Sequence, residues 1–173
     1  KAKRTIYDGF GSVVIISVTA PDTPALAGRS GRGTGFIIEV DGDTAIIVTN
    51  HHVVDSAINQ PDTFNVNVNT AVLSITKQDN EDWEAVKFAD NDSYSTGTPV
   101  VVIGHGMSMS WTSTQGHVVY KDRYGMRPYN LMVQVDAVIN QGNSGGPVFN
   151  LDGDVIGVAQ SIYSPGRDVP GWD

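Results

Sequence analysis

Cysteine is absent from the 173-residue chain, which excludes disulfide frameworks, thiolate zinc sites and cysteine nucleophiles. Basic residues are scarce: 11 lysines and arginines face 19 acidic residues, for a formal net charge of -8. A nucleic-acid groove needs a concentrated positive surface, and no local stretch supplies one, so no nucleic-acid partner is expected. The one basic run, KAKR at residues 1 to 4, reads as an exposed terminus. No apolar stretch approaches the about 18 residues that a spanning helix requires, and no secretory leader is visible. Segments with a 3.6-residue apolar period are few, which argues against a helical fold.

What the chain has instead is turn chemistry between short apolar runs. Its 19 glycines and 8 prolines are spread along its length, and 40% of its residues are hydrophobic. SVVIISVTA (12 to 20) reads as a buried strand, and PDTPALAGRSGRG (21 to 33) as a loop. TGFIIEV (34 to 40) and TAIIVTN (44 to 50) flank DGD and predict a hairpin. FNVNVNTAVLSIT (64 to 76) alternates as one strand or two, and KQDNEDWE is a charged connection. PVVVIGHG (99 to 106), TSTQGHVVYKD (112 to 122) and NLMVQVDAV (130 to 138) follow as strands. PVFNLDGDVIGVAQSI (147 to 162) predicts a second hairpin, and VVDSA after His52 a short turn of helix. The expected fold is all-β, a sandwich or barrels, divided at the polar stretch FADNDSYSTG.

QGNSGGPVFN (141 to 150) carries the strongest chemical signal. Glycines at 142, 145 and 146 surround Ser144 and permit a tight backbone with room for a substrate. Such a turn can expose the serine hydroxyl and aim the N–H groups of Gly142 and Ser144 at one point, with Asn143 shaping the turn. That is an oxyanion hole beside a nucleophile. On composition alone, a plain glycine-rich turn is the favoured reading. TNHHVVDSA (49 to 57) offers two adjacent histidines after a strand, either of which could serve as a base.

DAVINQGNSGGPVFNLDGDVIGVAQS resembles the nucleophile region of trypsin-like serine proteases, and specifically of the HtrA (Deg) family. VTNHHVVDSA resembles the histidine segment of that family, and GRGTGFII the strand before it. WEAVKFADNDSYSTGTPVVVIGHG resembles the passage into the second barrel, and TSTQGHVV a strand within it. These motifs occur in the family's order and cover most of residues 8 to 162.

The resemblance implies two perpendicular six-stranded β-barrels of the trypsin-like serine protease type, about 8–90 and about 97–173, with the active site between them. It implies a serine endopeptidase acting on unfolded or extended polypeptides in protein quality control, with no cofactor or metal; the alternative is a catalytically impaired pseudoprotease that keeps the fold and binds peptide or a protein partner. Ser144 is the implied nucleophile, and Gly142, Asn143 and Ser144 form the oxyanion turn. The family's histidine directly precedes valine, so His52 is the implied general base and His51 a neighbour. A metal site joining His51 with His105 or His117 has little support from spacing.

The family's third catalytic residue is an aspartate ahead of an alanine–aliphatic strand, where it holds the imidazole tautomer. The matching segment here is NTAVLSI, which puts Asn69 at that position. An asparagine can accept a hydrogen bond but carries no charge, and in the well-studied protease that loss costs a factor of about ten thousand. Asp82, in KQDNEDWEAVKF, is a competing orienter, although WEAVKFADND already matches a later segment. A third reading is omitted chain. The stretch from His52 to Asn69 is shorter than the resembled barrel requires, and the sequence stops at GRDVPGWD, ahead of a last family strand.

By the same resemblance, Val138, Ile139, Asn140 and Gln141 form one wall of the specificity pocket and the segment from Ala159 to Ile162 the other. Neither wall supplies an acidic residue, so small or medium aliphatic side chains are the expected preference. Gln160 and Ser161 are the candidates for pairing with an extended peptide. GHGMSMSWTSTQG (104 to 116) reads as packing or as the family's regulatory loop, which adjusts the oxyanion turn. A homotrimer is typical of the family, and Tyr7 and Phe10 are the N-terminal aromatics available to build one. A PDZ domain or membrane tether would lie outside this chain, and the implied location is periplasmic or otherwise extracytoplasmic.

Overall fold

The structure is a computed structural model that describes residues 11–19, 30–54, 70–76, 82–106, 109, 111–124 and 131–160. Its described residues form an all-β arrangement of two sheets. Strands β1 (Val13–Thr19), β2 (Ser30–Asp41), β3 (Thr44–Asn50) and β4 (Thr70–Thr76) form a four-stranded sheet in that order. Strands β5 (Lys87–Phe88), β6 (Pro99–Gly104), β7 (Thr112–Tyr124), β8 (Leu131–Val135), β9 (Pro147–Phe149) and β10 (Asp154–Val158) form a six-stranded sheet ordered β5-β10-β9-β6-β7-β8. Helix α1 is a single turn, His51–Val54, and Asn91–Ser93 forms one 3-10 turn. No described helix is long and apolar enough to cross a membrane.

The hairpins follow from local chemistry. Asp41 pairs with Thr44 across a two-residue loop, in which Gly42 takes φ +55°. In the β9–β10 hairpin, Asn150 Oδ1 accepts the N–H groups of Asp152 (2.9 Å) and Asp154 (3.0 Å), and Gly153 takes φ +92°. The asparagine side chain thus stands in for a backbone turn, and glycine supplies the left-handed residue.

Burial explains which strands read clearly. In β4, half-buried and exposed residues alternate along TAVLSIT, the pattern of a strand with one covered face. In β6, PVVVIG is buried from Val100 to Gly104, because both faces are covered. Val101 and Ile103 pack with Val13, Phe36, Val48, Phe149 and Val155, a core that joins residues of both sheets. Val100 and Val102 turn the other way, into the interior of the second sheet with Val118, Val148 and Ile156. A third cluster, Ile37, Ala45 and Ile47 with Leu73, Ile75 and Trp83, fills the first sheet.

Two elements differ from the sequence reading. β2 begins at Ser30, inside the stretch read as loop, and Ile16 pairs with Gly33. Glycines weaken a strand pattern but mark places where other groups come close. A Cβ on Gly35 would lie 2.8 Å from both Ile16 and Ile47 side chains. β5 is two residues long and pairs parallel with β10, which is too short to leave an alternating signature.

Candidate active site

Ser144 lies in a turn held by a set of backbone hydrogen bonds. The Asn143 N–H donates to the Asn140 carbonyl (3.0 Å), and the Gly146 N–H to the Asn143 carbonyl (2.9 Å). The Gly145 N–H donates to the Ala159 carbonyl, and the Ala159 N–H returns a bond to the Gly146 carbonyl, each at 2.8 Å. The Ser144 carbonyl accepts the Thr34 N–H (2.9 Å), and the Gly142 carbonyl accepts the Thr34 hydroxyl (2.7 Å). Among the described residues, the N–H groups of Gly142 and Ser144 make no hydrogen bond. Both residues are half-buried, and two unengaged donors, one on the serine and one two residues before it, are what a binding site for a developing anion requires.

Glycine is required at two points of this turn. Gly142 takes φ +100°, and a Cβ there would run into the His105 carbonyl. Gly145 takes φ +85°, and a Cβ there would collide with the Thr34 carbonyl and the Thr49 hydroxyl, and would lie 3.0 Å from the Asn50 nitrogen. Asn143 is 2% exposed, and its Oδ1 is clasped by the backbone around Gly104 and Gly106, where a Cβ would approach it to 2.8 and 2.7 Å. Thr112 Oγ1 adds a long contact to the same oxygen at 3.5 Å. Asn143 therefore shapes the turn as a buried wedge.

The histidine segment is joined to this turn through β2. His52 is exposed on α1, while Val53 and Val54 anchor that helix in the core. A Cβ on Gly33 would lie 2.7 Å from the Val53 methyls and 3.1 Å from the Ser144 carbonyl. The helix bearing His52 and the turn bearing Ser144 thus close on the same glycine. Thr49 Oγ1 donates to the Thr34 carbonyl (2.7 Å), which ties the end of β3 to the same point. His51 is half-buried beside His52. The β3–β4 ladder closes with Asn50 opposite Thr70, and Asn69 lies outside the described residues. Asp82 is exposed next to Trp83, which packs in the first-sheet core.

The two expected pocket walls flank the turn. Val138 is 59% exposed, and its carbonyl accepts the Thr114 hydroxyl (2.7 Å). Ile139 and Asn140 are half-buried and Gln141 is exposed. Ala159 is buried and bonded to the turn, Gln160 is half-buried, and Ser161 lies outside the described residues. No acidic side chain stands at 138–141 or 159–160.

Residues 104–106 sit directly beneath the turn. His105 is fully buried; its Nδ1 accepts the Trp111 N–H (3.2 Å), and its ring meets the Trp111 ring edge-on at 4.8 Å. Its Nε2 is buried without a hydrogen-bond partner. Burial first, and the Arg32 charge second, push the imidazole down to about 4 from 6.5. The Val14 carbonyl pulls weakly the other way, without a hydrogen bond of normal geometry. No group of three or more histidines and acidic residues gathers among the described residues. Sequence reasoning missed Gly33, Thr34 and Thr49 as parts of the site. Their signal lay in GRGTGFII, a strand with too many glycines.

A trypsin-like peptidase domain model matches residues 33–158. A probable periplasmic serine endoprotease DegP-like of Rhizobium meliloti (strain 1021) is 35% identical over 150 residues, covering 78% of this chain and 28% of the relative. The periplasmic serine endoprotease DegP of Escherichia coli (strain K12) is 34% identical over 146 residues, covering 77% and 30%. The chain therefore spans about a third or less of the length of these relatives. The solved structure of the HtrA-type protease AlgW with tripeptide superposes with a TM-score of 0.77 at 24% identity, covering 96% of this chain and 56% of that one.

Proposed function

The chain is an HtrA-like member of the trypsin-like peptidase family, and from that premise we propose that it is a serine endopeptidase. The observation that carries the reading is the pair of N–H groups, at Gly142 and Ser144, that make no hydrogen bond among the described residues, in a turn fixed by bonds to Thr34 and Ala159. Ser144 Oγ attacks the carbonyl carbon of the scissile peptide bond. His52 accepts the serine proton and passes it to the leaving amine. The carbonyl oxygen, now an anion, sits between the two N–H groups. Water, deprotonated by His52, then releases the acyl group and restores the serine.

Val138 to Gln141 and Ala159 to Ser161 form the substrate-binding walls in this reading, with aliphatic side chains preferred and the peptide extended along Gln160 and Ser161. Asn69 is the orienter of His52 unless a carboxylate from elsewhere takes that place. The substrates are unfolded or extended polypeptides, the location is periplasmic, and no cofactor takes part. The division into barrels at about 8–90 and about 97–173, a homotrimer using Tyr7 and Phe10, and a PDZ domain or membrane tether outside this chain belong to the same proposal. The periplasmic names of the relatives and the peptide bound to AlgW support location and substrate class.

Incubation with unfolded casein tests the activity. The chain should cleave it, and Ser144→Ala should not. Binding of casein with no cleavage by the unmodified chain would replace this reading with that of a peptide-binding protein built on a protease fold.

A further inference from the structure

Thr34, fully buried on β2, is bonded in four directions. Its N–H holds the Ser144 carbonyl, its own carbonyl holds the Thr49 hydroxyl, and its Oγ1 bridges two more groups. One is the His105 N–H, which can only donate, at 3.1 Å. The other is the Gly142 carbonyl, which can only accept, at 2.7 Å. A hydroxyl has one proton, so its direction is forced: Oγ1–H points at Gly142.

Gly142, at φ +100°, is a glycine and so is free to rotate about its backbone. The peptide that follows it is gripped at both ends, its carbonyl by Thr34 and its N–H by the Asn140 carbonyl. The next peptide has its carbonyl bonded to the Gly146 N–H. A trans peptide points N–H and C=O in opposite directions, so holding the Asn143 carbonyl inward turns the Ser144 N–H outward. Without the hydroxyl, one of the two grips on the Gly142–Asn143 peptide is gone, at a glycine whose backbone can rotate.

We propose that the Thr34 hydroxyl is a positioning residue for catalysis, holding the Gly142 carbonyl so that the N–H groups of Gly142 and Ser144 stay aimed at the developing oxyanion. The proposal rests on the endopeptidase reading for its rate effect, but not for its structural effect. A transition-state donor that is present but misaimed lowers kcat and leaves ground-state binding nearly unchanged.

The test compares Thr34→Val, which keeps the shape and removes the hydroxyl, with Thr34→Ser, which keeps the hydroxyl, in the full chain. Peptide hydrolysis and amide exchange at Asn143 are both measured. Thr34→Val should lower kcat by about 10- to 100-fold with KM within about twofold, and speed exchange at Asn143. Thr34→Ser should stay within about threefold of the unmodified kcat. If Thr34→Val fails to fold, Thr34→Ala against Thr34→Ser isolates the same hydroxyl. Equal kcat with and without the hydroxyl overturns the proposal, and so does a loss in Thr34→Ser as large as in Thr34→Val. If the unmodified chain hydrolyses nothing, the endopeptidase reading fails by itself. Exchange then decides the lock: faster exchange only without the hydroxyl upholds it, and unchanged exchange overturns it.

Discussion

Acid should destabilise this protein through His105, and the size of the effect follows from its surroundings. The ring is fully buried, its Nδ1 accepts the Trp111 N–H, and Arg32 opposes added positive charge. The folded imidazole titrates at about 4, whereas an unfolded one titrates at 6.5. Between these values the unfolded chain binds a proton that the folded chain refuses, so unfolding free energy rises with pH across that window. Lowering the pH from 7 to 4 therefore removes stability, and below about 4 this group removes no more. At about 1.4 kcal/mol per pKa unit the loss is about 3 kcal/mol, and about 2 once screening of the exposed Arg32 is allowed for. His105→Asn keeps an acceptor near the Nδ1 position and does not titrate. Urea unfolding at pH 7 and pH 4 should show the unmodified chain losing about 2 kcal/mol more than the variant, a midpoint difference of about 1 M. The acidic residues titrate in both proteins, so the difference isolates the imidazole. Parallel losses in the two proteins would refute the reasoning, as would a His105 ring titrating near 6.5 by NMR.

Other changes have equally definite outcomes. Gly145→Ala drives a methyl into the Thr34 carbonyl and the Thr49 hydroxyl at a left-handed residue. It should cost about 3 kcal/mol or more by denaturant unfolding and abolish hydrolysis. Asn150→Ala leaves the Asp152 and Asp154 N–H groups without their acceptor and should cost about 1–3 kcal/mol, while Asn150→Asp, which still accepts both, should cost less. His52→Ala should lower kcat by about a thousandfold or more, and His51→Ala by less than about tenfold, in side-by-side peptide assays.

The chemistry of the site was legible where it is local. QGNSGGP announces a glycine turn around a serine within a few residues, and TNHHVV marks the end of a strand followed by a histidine. The two hairpins were legible for the same reason, since Gly42 and Gly153 sit where left-handed backbone is needed. What holds the site together was not legible. Thr34 and Gly142 are 108 residues apart in the sequence, and no local pattern records their hydrogen bond. Gly33 reads as loop composition, yet it is glycine because Val53 and the Ser144 carbonyl leave no room for a side chain. His105 was visible as a histidine, but its burial under the turn depends on β6 being covered on both faces. GHGMSMSWTSTQG reads as packing or as a loop acting on the oxyanion turn. His105, Gly106 and Thr112 bring it against Asn143 and Gly142.

The most direct test of the account is covalent labelling of the serine in the folded chain. Treatment with a fluorophosphonate, followed by peptide mapping by mass spectrometry, should place one adduct on Ser144. The adduct should disappear in Ser144→Ala and form far more slowly in His52→Ala. An unmodified chain that stays unlabelled, or an adduct on any other residue, would contradict the central claim that this turn presents an activated nucleophile.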